Sequence, residues 1–99
     1  MAANSDATPG VAMLINAADT VRKRGRVYGP MRDNMARTAE LWSPILKTRV
    51  EPWQVAACMI AVKLARLVET PSHEDGPIDI AGYAACLREC QTKEGDDSE

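Results

Sequence analysis

From Trp53 to Val68 the chain is apolar almost all round, interrupted only by Gln54, Lys63 and Arg66. A helix without a polar face needs neighbours on several sides. In a chain of 99 residues this constrains the fold more than any other feature, and the segment reads as the central helix of a small bundle. Glu51-Pro52 marks its start, with proline where the first turn needs no amide donor. Thr70-Pro71 marks its end.

The flanking segments have helical patterns too. Thr8-Pro9 reads as an N-cap followed by proline, and Val11, Leu14, Ile15, Ala18 and Val21 follow at helical spacing. Gly25 reads as a stop, which gives helix one residues 9–24. The basic stretch Arg22 to Pro30, with two glycines and a proline, reads as a loop. Helix two spans about 31–46 on Met31, Met35, Ala39, Trp42 and Leu46. Pro44 must kink that helix or end it near Trp42, because it cannot donate to residue 40. Residues 72–77 read as a polar loop. Helix four covers Ile78 to Cys90, with Ile80, Ala84 and Leu87 in one row and Tyr83, Leu87 and Cys90 in another. No alternating strand pattern persists.

The expected fold class is therefore all-α, a compact bundle of four helices. A single helical domain at 9–91 lies between a disordered N-terminal tail, 1–8, and an acidic disordered tail, 92–99. About 80 residues of helical core is near the low end for an independent domain, so pairing into a homo-oligomer is expected.

Hydrophobic residues make up 45% and charged residues 26%, as in ordinary globular proteins. No apolar run approaches the ~18 residues of a membrane span, so no membrane partner is expected. The N-terminus has no basic segment leading into an apolar one, which points to a cytoplasmic protein. Cys58, Cys86 and Cys90 are an odd count inside helix-like apolar runs and read as buried free thiols. Together with His73 they match no zinc-ribbon spacing. There is no phosphate-binding glycine loop and no nucleophile elbow.

The net charge of −2 hides a segregation. Residues 22–49 carry eight basic side chains against Asp33 and Glu40, whereas residues 50–99 carry four against ten acids. The basic segment can face an anion, or it can cap the C-terminus of helix one. It can also join subunits head to tail through the acidic half. That acidic half and the lack of a recognition-helix motif speak against nucleic acid.

Lys63 and Arg66 lie three apart on the most apolar helix and read as sharing a face. Cations there want partners, with Glu69, Asp75, Asp79 and Glu40 available. Such a group is an ion-pair network or a clamp for phosphate or carboxylate. His73, Glu74, Asp75 and Asp79 gather near the start of helix four. Asp75 and Asp79 could hold Mg2+ through water and phosphate, or Asp75 caps the helix and Asp79 occupies its first turn.

The segments Arg24-Gly25-Arg26-Val27-Tyr28-Gly29, Asn34, Ala39-Glu40-Leu41-Trp42-Ser43, Lys63-Leu64-Ala65-Arg66-Leu67, His73-Glu74-Asp75 and Asp79-Ile80-Ala81-Gly82-Tyr83-Ala84 occur in that order. Over about residues 17–90 the chain resembles a family of small helical proteins, of unestablished function, encoded by phages and prophages. More distantly it resembles the MazG-like all-α nucleoside triphosphate pyrophosphohydrolases, which hold magnesium on paired acidic helices. It departs from their pattern: helix three has Lys63 and Arg66 where acids would stand, and helix four offers only Asp79. The resemblance implies a shared site at Tyr28, Asn34, Lys63, Arg66, Asp75 and Asp79, with Arg24, Gly25 and Gly29 at its rim. Two functions follow as expectations. One is binding or processing of a nucleotide or other phosphate-bearing ligand. The alternative is a non-catalytic module that docks on a host or phage protein.

Overall fold

A computed structural model describes residues 8–91. The two expected tails lie outside the described residues, except Thr8. Four helices, α1 (Pro9–Tyr28), α2 (Met31–Leu46), α3 (Pro52–Glu69) and α4 (Asp75–Gln91), form an all-α compact bundle with no strand among the described residues. None of these helices is long and apolar enough to cross a membrane.

The helix starts follow local chemistry. Thr8 Oγ1 accepts from the Val11 amide at 3.3 Å, and Pro9 opens α1. Gln54 Oε1 reaches back to accept from the Glu51 amide at 2.7 Å at the head of α3. Both are first-turn donors that would otherwise lack an intrahelical partner.

Two boundaries differ from those read in the sequence. Helix α1 runs through Gly25 to Tyr28, so the basic segment up to Arg26 is helical rather than a loop. A mid-helix glycine costs only about 1 kcal/mol. The effective stop is Gly29, whose φ of 86° suits glycine and whose amide donates to the Gly25 carbonyl, followed by Pro30. Helix α2 keeps the expected span, Met31–Leu46, with Pro44 inside it, so of the two alternatives at Pro44 the helix does not end there. Helix α4 begins at Asp75, not Ile78: Gly76 and Pro77 fall in its first turn, where a missing amide donor costs nothing. Asp75 is thus inside the helix and Asp79 in its second turn.

The end of α2 is tied to the chain that follows. Ser43 Oγ donates to the Ala39 carbonyl at 2.8 Å and accepts from the Val50 amide at 2.9 Å. Lys47 takes the left-handed conformation, with φ 57° and ψ 39°, and reverses the chain between them.

The packing also departs from expectation. Helix α4, rather than α3, is the common neighbour: it packs most extensively on α3 and also meets α1 and α2. Helix α3 meets only α2 and α4. The reason is the small residues of α4. Gly76 is buried with Leu67 lying where a β-carbon would go, 2.8 Å from the nearest side-chain atom, and Gly82 faces Val21. The fully shielded core is correspondingly small, made of Ala17, Ala39, Val55, Ala56 and Cys86. Cys58 is exposed rather than buried, and Cys90 is half-buried.

The thiol of Cys86 donates to Met31 Sδ at 3.1 Å, linking α4 to α2. Burial pushes this thiol up from 9.0 to about 11, and Cys90 and Glu89 add to the effect. The folded chain therefore holds this proton more tightly than the unfolded one. Its contribution is complete below the unfolded value of 9.0 and is lost as pH rises through the folded value of about 11. Denaturation midpoints measured across that window should fall, and Cys86→Ala should flatten the fall. Ser43→Ala leaves the Val50 amide without its partner. It should cost about 1–2 kcal/mol and lower Tm by several degrees in thermal unfolding.

Candidate functional site

The sequence places two cations, Lys63 and Arg66, on an otherwise apolar helix, and the fold supplies a partner for Lys63. Lys63 Nζ lies 3.2 Å from Asp79 Oδ2, joining α3 to α4. The lysine side chain is 19% exposed and the aspartate 40%. Of the acids available to Lys63, the structure selects Asp79, four residues into α4.

This pair forms one wall of an open cleft of about 520 Å3. Helix α1 contributes Thr20, Val21, Arg24 and Tyr28, and α2 contributes Met31, Asn34 and Met35. Helix α4 adds Ile78, Gly82 and Tyr83 beside Asp79. The extension of α1 through Tyr28 is what brings Arg24 and Tyr28 to this cleft. They lie one helical turn apart, with the Arg24 guanidinium carbon 5.2 Å from the centre of the Tyr28 ring. That distance permits a cation–π interaction. Asn34 Nδ2 donates to the Tyr28 carbonyl at 3.3 Å and so holds the α1–α2 turn that forms the cleft's lip.

Four of the six residues singled out in the sequence, Tyr28, Asn34, Lys63 and Asp79, therefore meet at one cleft. Arg66 and Asp75 are not among its lining residues, and both are exposed. Three residues is close to one helical turn but not equal to it. Lys63 turns toward α4, while Arg66 falls toward solvent. Arg24 is at the cleft, as expected of a rim residue. Tyr83, Met31 and Met35 are lining residues that the sequence reading had assigned to helix rows. The one available signal was Tyr83 lying one turn beyond Asp79.

Chemically the cleft offers two cations, Arg24 and Lys63, against one acid. It also offers two tyrosine rings and the soft, polarisable thioethers of two methionines. Among the described residues no three or more His, Cys, Asp or Glu side chains gather in a way that could hold a metal ion. Asp79 is engaged by Lys63, and Asp75 stands apart from the cleft.

The family comparison matches residues 12–91, which span α4 entirely and nearly all of α1, to DUF6378, a domain of unknown function. The chain belongs to this family. Two relatives, each called Gene 55 protein, come from Mycobacterium phages L5 and D29. The L5 protein is 38% identical over 87 residues, covering 85% of this chain and 55% of its own length. The D29 protein is 38% identical over 65 residues, covering 66% of this chain and 43% of its own. The chain thus spans about half the length of the curated relatives it matches. No solved structure matches significantly. Within DUF6378 the matched region contains every cleft residue described above.

The Lys63–Asp79 pair is partly wet, and solvent screens it. A double-mutant cycle with Lys63→Met and Asp79→Asn should give a coupling of no more than about 1 kcal/mol in chemical denaturation. A much larger coupling would mark the pair as a buried structural lock.

Proposed function

We propose that the cleft binds a small phosphate-bearing ligand with an aromatic ring, by its chemistry a nucleotide. The observation that carries this reading is Lys63. It projects from an apolar helix into an open cleft, and its ion pair uses one of three ammonium donors. Arg24 is the second cation for the phosphate. Tyr28, exposed at the lip, offers a ring face to a base, a contact worth roughly 1–3 kcal/mol in single-stranded nucleic-acid sites. Asn34 positions that lip. Asp79 orients Lys63 rather than a metal, so this reading takes ligand binding without Mg2+ and assigns no catalytic residue. The MazG-like likeness enters here as architecture alone.

A second reading is a non-catalytic interaction module within the longer proteins of the family. It is favoured by the small shielded core and by the many large apolar residues left exposed, Leu14, Ile15, Leu41 and Ile45 among them.

A thermal-shift series with nucleoside mono- and triphosphates, each with and without magnesium, separates the two. Ligand at 100 times its Kd stabilises by about 2.7 kcal/mol, which for a chain of this size raises Tm by several degrees. The rise should occur without magnesium, disappear in Lys63→Met and Tyr28→Ala, and persist in Asp75→Asn. No shift at millimolar nucleotide would overturn the ligand reading and leave the interaction module.

A further inference from the structure

Helix α3 is the most apolar of the four, yet more than half of its circumference is open. Trp53 is 48% exposed, Leu64 51% and Val68 83%, with Cys58, Ala61, Val62 and Ala65 exposed between them. At 100° per residue these side chains form one continuous arc centred near Ala61 and Ala65. Lys63 and its cleft lie roughly opposite. Apart from Lys63, the charges of this helix and of the residues leading into it stand at the two ends. Arg49 and Glu51 precede it, paired at 2.7 Å, and Arg66 and Glu69 close it. Arg66 and Glu69 are both exposed and have no ion pair among the described residues.

We infer that this face pairs with the same face of a second copy, the two α3 helices running antiparallel and crossing beside Cys58. The register comes from two matches. Setting Arg66 against Glu51 of the other copy puts the two-fold axis midway, between Cys58 and Met59. Setting the exposed Trp53 against the exposed Leu64 puts the axis in the same gap between Cys58 and Met59. In an antiparallel two-fold pair the same flank of each helix meets, and Trp53 and Leu64 share one flank while Glu51 and Arg66 share the other. Small residues Ala57 and Ala61 then face each other across the axis and allow close approach. A parallel pair would instead oppose Arg49 to Arg49 and Glu51 to Glu51, and the helix dipoles would add to the repulsion. The two clefts face outward in this arrangement, so the inference does not depend on the ligand reading.

Cys58 is an exposed free thiol next to the axis and reports directly on the arrangement. At tens of micromolar the chain should sediment as a dimer. A short bismaleimide should join Cys58 to Cys58, identified by mass spectrometry of the linked peptide. Ala61→Glu is a helix-compatible change on an exposed position and should raise the dimer dissociation constant at least roughly tenfold, with helicity by circular dichroism unchanged. Arg66→Glu should weaken the dimer, and adding Glu51→Arg should restore it, which a merely structural loss would not allow. A monomer at 100 µM would overturn the inference and leave the face to a different partner. So would a dimer that Ala61→Glu leaves intact, or one with no Cys58–Cys58 link.

Discussion

The seating of α4 on α3 at Gly76 is the constraint from which the rest of the geometry follows. Leu67 occupies the space a side chain would need there, so any larger residue at Gly76 must displace the Leu67 side chain for α4 to start this close against α3. Pro77 follows in the same first turn and fixes the entry of the helix without losing a bond. From that seat the second turn of α4 brings Asp79 within 3.2 Å of Lys63. The next turn carries Gly82 past Val21 and opens α4 to α1, and the last turns carry Cys86 to Met31 of α2. One close contact thus makes α4 the shared neighbour of the other three helices.

The same seat explains why the charge segregation of the sequence has a modest structural effect. The basic segment divides in two. Arg22 pairs with Asp19 on its own helix, and Arg24 turns over Tyr28 toward the cleft. The acidic half divides likewise, with Asp79 meeting Lys63 and Glu69 left at the open end of α3. The exposed pairs contribute little to stability. What segregation achieves is local: a cleft with two cations for one acid, and an apolar helix face with one charge of each sign at either end.

Much of this was legible in the sequence, and the failures have physical causes. Thr8-Pro9 and Glu51-Pro52 predicted helix starts because capping and proline act within one turn. Gly25 misled because a helix-interior glycine is a small penalty that three following residues outweigh, while Gly29 is a true stop with positive φ. Lys63 stands out because a cation on an apolar helix needs a partner, and Asp79 is among the acids available to it, whereas Tyr28 and Asn34 enter only through the family resemblance; the fold places all four at one cleft. Arg66 was grouped with Lys63 by spacing alone. Which of two neighbouring positions faces inward depends on the direction from which α4 approaches, and that is set by Gly76, far along the chain. The exposure of Cys58 was hidden for the same reason: an apolar helix does not say how many neighbours it will have.

Helix α3 therefore answers two demands that its composition alone cannot separate. Its inner side needs size and one charge, and has Leu67 against α4 at Gly76 and Lys63 at the cleft. Its outer side has small side chains at the centre, large ones at the flanks and charges only at the ends. A helix serving only as core would have no use for the second pattern, because interior packing prefers bulk that fills space. A helix meeting solvent would carry charge along the whole outer arc rather than at its limits. Small centre, large flanks and opposed terminal charges are what close approach to a second helix requires. The all-round apolar character that first marked this segment is thus two distinct surfaces back to back, one turned into the bundle and the other away from it.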